Sequence, residues 1–117
     1  MKILGHHLIV ELYECNSTAL SDVAKVESIM IAAAKAAKAT IVDTVFHHFK
    51  PHGVSGVVVI AESHLAVHTW PEHKYVSMDL FTCGSELKPW DAFKVVKKMF
   101  RARHSSVMKI ERGMVPK

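Results

Sequence analysis

Cysteine is scarce in this 117-residue chain: Cys15 and Cys83 are the only two, and they form no CxxC or other metal-ligand spacing. A thiol-built metal centre and a disulfide framework are thereby excluded, and both residues are read as reduced thiols. Long apolar runs are also missing, since none approaches the roughly 18 residues of a membrane span. His6 and His7 interrupt the apolar stretch that a signal peptide would need after Lys2. A soluble cytoplasmic protein with no membrane partner is the expectation. No linker or low-complexity segment divides the chain, so residues 1–117 are read as a single domain, long enough to bury a core. Charge is not concentrated either. The net charge of +4 comes from dispersed lysines with no basic-aromatic motif among them, which argues for a solvated surface and against nucleic acid.

What the chain does have is clear periodicity. Over residues 2–15, Leu8, Val10 and Leu12 share one face while His7, Ile9, Glu11 and Tyr13 share the other, the alternation of a strand. Asn16-Ser17-Thr18 can cap the helix that follows, where Val23, Val26, Met30, Ala33 and Ala37 recur at helical spacing within 20–38. Thr40 to Phe49 reads as a second strand, and Lys50-Pro51-His52-Gly53 turns the chain into Val54. Gly56-Val57-Val58-Val59-Ile60-Ala61 is continuously apolar, the pattern of a strand buried on both faces. Beyond it, His64, Ala66 and His68 alternate with Leu65 and Val67 until Trp70-Pro71 ends the extended run. Tyr75 to Cys83 alternates again. Pro89 suits a helix start, and the helix to Arg103 would bury Trp90, Phe93, Val96 and Phe100. Ser106 to Arg112 reads as a last strand. The order of strand, helix, four strands, helix, strand predicts an α+β two-layer sandwich, a largely antiparallel sheet with two helices on one face. The open sheet face needs a cover, which predicts association of protomers through it or its edges.

Chemistry is concentrated in Glu62-Ser63-His64-Leu65-Ala66-Val67-His68. A serine hydroxyl follows a backbone carbonyl and can attack it through a five-membered ring when the peptide is strained and donors stabilise the oxyanion. The Glu62-Ser63 amide becomes an ester. If a base such as the His68 imidazole then removes the α-proton of residue 63, the ester carboxylate leaves, and the dehydroalanine hydrolyses to a pyruvoyl group. Taken alone, a strand-end serine and a single histidine are ordinarily structural.

Three dense motifs give this stretch a family resemblance. Phe49-Lys-Pro-His-Gly-Val-Ser55-Gly-Val-Val-Val-Ile, Glu62-Ser-His-Leu-Ala-Val-His-Thr-Trp-Pro-Glu72 and Met78-Asp-Leu-Phe-Thr-Cys-Gly84, with Gly5-His-His-Leu-Ile-Val-Glu-Leu-Tyr-Glu-Cys15 and Glu111-Arg112-Gly113, resemble the short prokaryotic S-adenosylmethionine decarboxylase proenzyme. The resemblance implies self-cleavage into a β chain 1–62 and an α chain 63–117. Ser63 would be the pyruvoyl precursor that forms a Schiff base with the substrate, and His68 the proton acceptor in processing. Ser55 would assist processing, and Cys83 would donate a proton to the substrate's α-carbon, a task for which a thiol keeps its proton at neutral pH. Phe49 would stack on adenine, and Glu72 would accept hydrogen bonds from the ribose hydroxyls. The cofactor would be the pyruvoyl group itself, with neither metal nor pyridoxal phosphate. The product would be S-adenosylmethioninamine, the aminopropyl donor for spermidine, and the assembly an α/β/β/α dimer, (αβ)2. His48 and His52 depart from the basic and aromatic residues expected at those places.

Two rivals remain at this stage. One keeps the pyruvoyl chemistry and the fold but acts on arginine or ornithine. The other is a non-enzymatic metal-binding module using some of the nine histidines, although the adjacent pairs His6-His7 and His47-His48 point to opposite faces of their strands and form no ready chelate.

Overall fold

The computed structural model describes residues 1–117. Six antiparallel strands form one sheet: β1 (Lys2–Tyr13), β2 (Thr40–His48), β3 (Val54–Ala61), β4 (Ser63–Trp70), β5 (Tyr75–Cys83) and β6 (His104–Val115), in the order β2-β3-β4-β5-β1-β6. Three helices accompany it: α1 (Ser17–Leu20), α2 (Val23–Ala36) and α3 (Pro89–Met99). The class is α+β, as the periodicity predicts.

The expected first helix is two. Asn16 accepts from the Ala19 N–H at 3.1 Å and caps α1, and Asp22 accepts from the Lys25 N–H at 3.1 Å and starts α2 afresh. The α3 helix stops at Met99, four residues before Arg103, because Arg101 takes a left-handed φ of 56°.

The sheet has a dry face and an open one. Leu8, Val10 and Leu12 of β1, Val58 and Ile60 of β3, Leu65 and Val67 of β4, and Val76, Met78 and Leu80 of β5 are buried beneath the helices. Val26, Ile29, Met30 and Ala33 of α2, Val96 of α3 and Phe100 just beyond its end meet them. Trp90, expected on this buried side, is 45% exposed. Its place at the first turn of α3 leaves it stacked edge-on against Phe93 at 5.9 Å, outside the core.

The both-face burial read from Gly56 to Ala61 does not hold in the single chain. Val58 and Ile60 are buried, whereas Val59 is exposed, because no helix covers that side. Val45, Met108 and Ile110 also lie exposed there, sharing the face of Val57, Ile9 and His7 by register. No helix is long and apolar enough to cross a membrane.

Candidate active site

The expected polar step between core strands is shorter than the sequence indicates. Glu62 alone separates β3 from β4, and Ser63 is the first residue of β4, paired with Ile60 on one side and Thr82 on the other. Its φ is +133°, a region that side-chain-bearing residues rarely adopt and that marks stored backbone strain. The Glu62–Ser63 peptide is therefore clamped between two paired strands while its serine sits in an unfavourable conformation.

Cys83 ends β5 one residue beyond the partner of Ser63, half-buried and free. It faces Gly5 of β1. A Cβ built on Gly5 would lie 3.1 Å from the Cys83 sulfur and 2.6 Å from the Phe81 ring, so the bare glycine is what admits both. A cavity of about 390 Å³ opens here, lined by Thr40, Ala61, Cys83, Gly84 and Ser85. The neighbouring ring of Phe81 carries the Arg112 guanidinium at 4.7 Å and is flanked by His7 at 5.4 Å and His64 at 5.8 Å. His7 is itself held by Asp79 at 2.8 Å. These residues form one end of the sheet.

Ser55, His68, Phe49 and Glu72 gather at the opposite end. Ser55 and His68 are cross-strand partners, and the Ser55 hydroxyl lies 2.7 Å from His68 Nδ1. Phe49 follows β2 with its ring 48% exposed, edge-on to His47 at 4.5 Å. Glu72 lies exposed in the single turn Pro71–His73 after β4. Trp70, just before it, packs at 5.2 Å on Tyr75. Tyr75 donates to Glu11, and burial together with that carboxylate pushes its hydroxyl up to about 12.

Within one chain, therefore, the residues that the resemblance implies fall into two groups at opposite ends of the sheet. Ser63 and His68 stand five residues apart on the single extended strand β4, a separation of roughly 16 Å at about 3.3 Å per residue. The sequence places both on one motif, and motif spacing does not show that an extended strand carries its ends apart. Sequence reading also passed over Gly5, Thr69 and Thr82. Thr69 and Thr82 each carried a signal, as polar residues at positions of β4 and β5 that alternation assigns to the core; Thr69 is the hydrogen-bonded one of the two. It is 5% exposed, accepts from the Val54 N–H at 2.9 Å and donates to the Leu20 carbonyl at 2.8 Å. The nine histidines do not converge, and no group of three or more His, Cys, Asp or Glu side chains is placed to hold a metal ion.

Residues 6–113 match the family model described as S-adenosylmethionine decarboxylase. The chain is similar to the S-adenosylmethionine decarboxylase proenzyme of Pelotomaculum thermopropionicum, with 49% identity over 99% of this chain and 92% of that one. It is 52% identical to the proenzyme of the same description from Thermotoga maritima, over 97% of this chain and 87% of that one. Its fold resembles the crystal structure of the adenosylmethionine decarboxylase from Aquifex aeolicus, with a TM-score of 0.93, 32% identity, and coverage of 99% and 96% of the two chains. Sequence and fold agree over nearly the full length, and the chain belongs to the S-adenosylmethionine decarboxylase family.

Proposed function

We propose that this chain is a proenzyme that cleaves itself at Glu62-Ser63 into chains 1–62 and 63–117, and that the mature enzyme decarboxylates S-adenosylmethionine to S-adenosylmethioninamine. The observation that carries the reading is Ser63: a serine with φ at +133°, held by strand pairing on both sides next to a cavity that contains a free thiol. Those residues fit a pyruvoyl group derived from Ser63, which would supply an electron sink for the bond to the departing carboxylate.

The remaining tasks fall to this chain's own side chains. His68, oriented by the Ser55 hydroxyl, takes the α-proton of residue 63 during maturation. Cys83 returns a proton to the substrate's α-carbon, and its fixed place at the end of β5 directs delivery to that atom. Phe49 and Glu72, exposed at the end where His68 stands, offer an aromatic face for a purine and a two-oxygen acceptor for vicinal hydroxyls. The exposed Phe49 ring also suits the substrate's sulfonium charge.

The separation of Ser63 from His68 on one strand makes a single chain insufficient. Two protomers packed through their open sheet faces, where Val45, Met108 and Ile110 stand exposed, set the Ser63–Cys83 end of one against the Ser55–His68 end of the other. A twofold axis then completes two equivalent sites per dimer, in an (αβ)2 assembly after cleavage. Exposed apolar side chains grouped on one face support such packing.

Intact mass of the purified chain, before and after borohydride, tests the reading. Two fragments split at residue 62, the larger of mass consistent with residues 1–62 and the other carrying a reducible carbonyl, are expected. Ser63→Ala should stay whole and inactive, and Cys83→Ala should cleave yet lose turnover by about 10²-fold or more. A cleaved, active Ser63→Ala protein would refute the assignment. Carbon dioxide release assayed with S-adenosylmethionine, arginine and ornithine separates the substrate from those of same-fold rivals.

A further inference from the structure

The helix-facing side of the sheet carries a second polar group beside the cleavage point. Strand register sets Ser63 opposite Thr82, and Thr82 opposite His6, so the three residues form one row across β4, β5 and β1. Directly opposed residues of antiparallel strands share a face, with Cβ atoms about 4.5–5.5 Å apart. Thr82 is 1% exposed, in a position otherwise continuous with the core residues Leu80 and Met78. Its Oγ1 and the Nδ1 of His6 are both buried, and neither has a hydrogen-bond partner. Buried polar atoms are nearly always satisfied. Two orphans side by side, in register with the serine whose hydroxyl must become a nucleophile, mark a function exercised during a reaction.

We propose that Thr82 and His6 relay the proton that Ser63 loses when it attacks its own preceding carbonyl. This rests on the self-cleavage proposed above and assigns the step that precedes the one given to His68. With the imidazole proton on Nε2, His6 Nδ1 is an acceptor. Thr82 donates its hydroxyl proton to that nitrogen and accepts one from Ser63 Oγ, after χ1 rotation brings the hydroxyls together. As the Ser63 Oγ–C bond to the Glu62 carbonyl carbon forms, the serine proton passes to Thr82 and the threonine proton to His6. As the C–N bond between residues 62 and 63 breaks, the proton returns by the same route to the departing nitrogen. The product is an ester with a free amine, and both relay residues end as they began. In this relay Thr82, once rotated, meets the reacting oxygen and is catalytic in processing, whereas His6 acts through it.

The test follows the unprocessed chain over time by denaturing electrophoresis with and without hydroxylamine, which cuts the ester. Thr82→Val, an isostere without the hydroxyl, is expected to slow cleavage by about 10²-fold and to accumulate whole chain resistant to hydroxylamine. His6→Leu should do the same, while Thr82→Ser and His6→Asn, which keep a hydroxyl and an acceptor, recover most of the rate. His68→Ala should instead accumulate hydroxylamine-sensitive chain. Because Thr82→Val removes an unpaired buried hydroxyl, its melting temperature is expected to equal or exceed that of the wild type. Wild-type cleavage in Thr82→Val, accumulation of the ester in that variant, or slow cleavage accompanied by a lowered melting temperature would each overturn the relay. A wild-type chain that never cleaves would remove the self-cleavage reading beneath it.

Discussion

Two cysteines with the same sequence signal behave differently once folded. Cys15 is 3% exposed, and burial pushes its thiol up to about 11, so at pH 8 only about a thousandth of it is thiolate. Cys83 is half-buried beside an open cavity. The native protein is expected to titrate one thiol rapidly with a disulfide reagent at pH 8 and the second only after denaturation. Alkylation of the first should abolish turnover. The same burial gives a pH dependence of stability. Below the ordinary thiol value of 9.0 Cys15 is protonated in both states; above it the unfolded chain releases the proton and the folded chain does not until about 11. Stability should therefore fall by about 2 kcal/mol between pH 9 and 11, a loss that urea unfolding should find absent in Cys15→Ala. Neither property was legible in the sequence, because exposure of a strand-end residue depends on which elements close over it. The resemblance did indicate Ser55 as an aid to processing, and its hydroxyl on His68 gives that expectation a geometry.

Strands were the most legible elements, since alternation reports directly which residues share a face. The start of β4 at Ser63 was obscured because a polar Glu-Ser-His step resembles a turn, yet only Glu62 is the turn and pairing to both neighbours begins at Ser63. The split between α1 and α2 was hidden for a related reason: apolar spacing runs across Ser21 and Asp22, and only the second cap reveals the break. One threonine ties these elements to the site. Thr69 bridges β3 and α1 through two buried hydrogen bonds, and its strand neighbour His68 and the neighbour of Val54, Ser55, form the hydrogen-bonded pair proposed to act in processing. Thr69→Val preserves shape while leaving the Val54 N–H and the Leu20 carbonyl without partners. It is expected to destabilise the fold by about 1–3 kcal/mol in urea titration, and to slow maturation through loosened Ser55–His68 geometry. An unchanged denaturation midpoint would show that water replaces the hydroxyl.

At the scale of the whole molecule, the two ends of β4 are the ground for the proposed assembly. Pairing fixes Ser63 against β5 at one end and His68 against β3 at the other, and side-chain motion cannot close roughly 16 Å along a strand. The sheet face between them is left uncovered by any helix, and in the proposed dimer a second copy would bury the exposed apolar residues and supply the missing half of each site. Sequence reading could propose an interface near the site but not a site divided between chains, because the grounds for that proposal appear only when register converts spacing into distance. Complementation tests the division. Ser63→Ala and His68→Ala chains, each defective alone, are co-expressed with different tags and the mixed dimer is isolated. If the site is shared, the His68→Ala chain meets the intact His68 of its partner and is cleaved, the Ser63→Ala chain stays whole, and roughly half the wild-type turnover per dimer returns, since one of two sites is complete. If each chain instead serves its own serine, the mixed dimer contains no competent site, neither chain is cut, and turnover stays at the level of the separate variants.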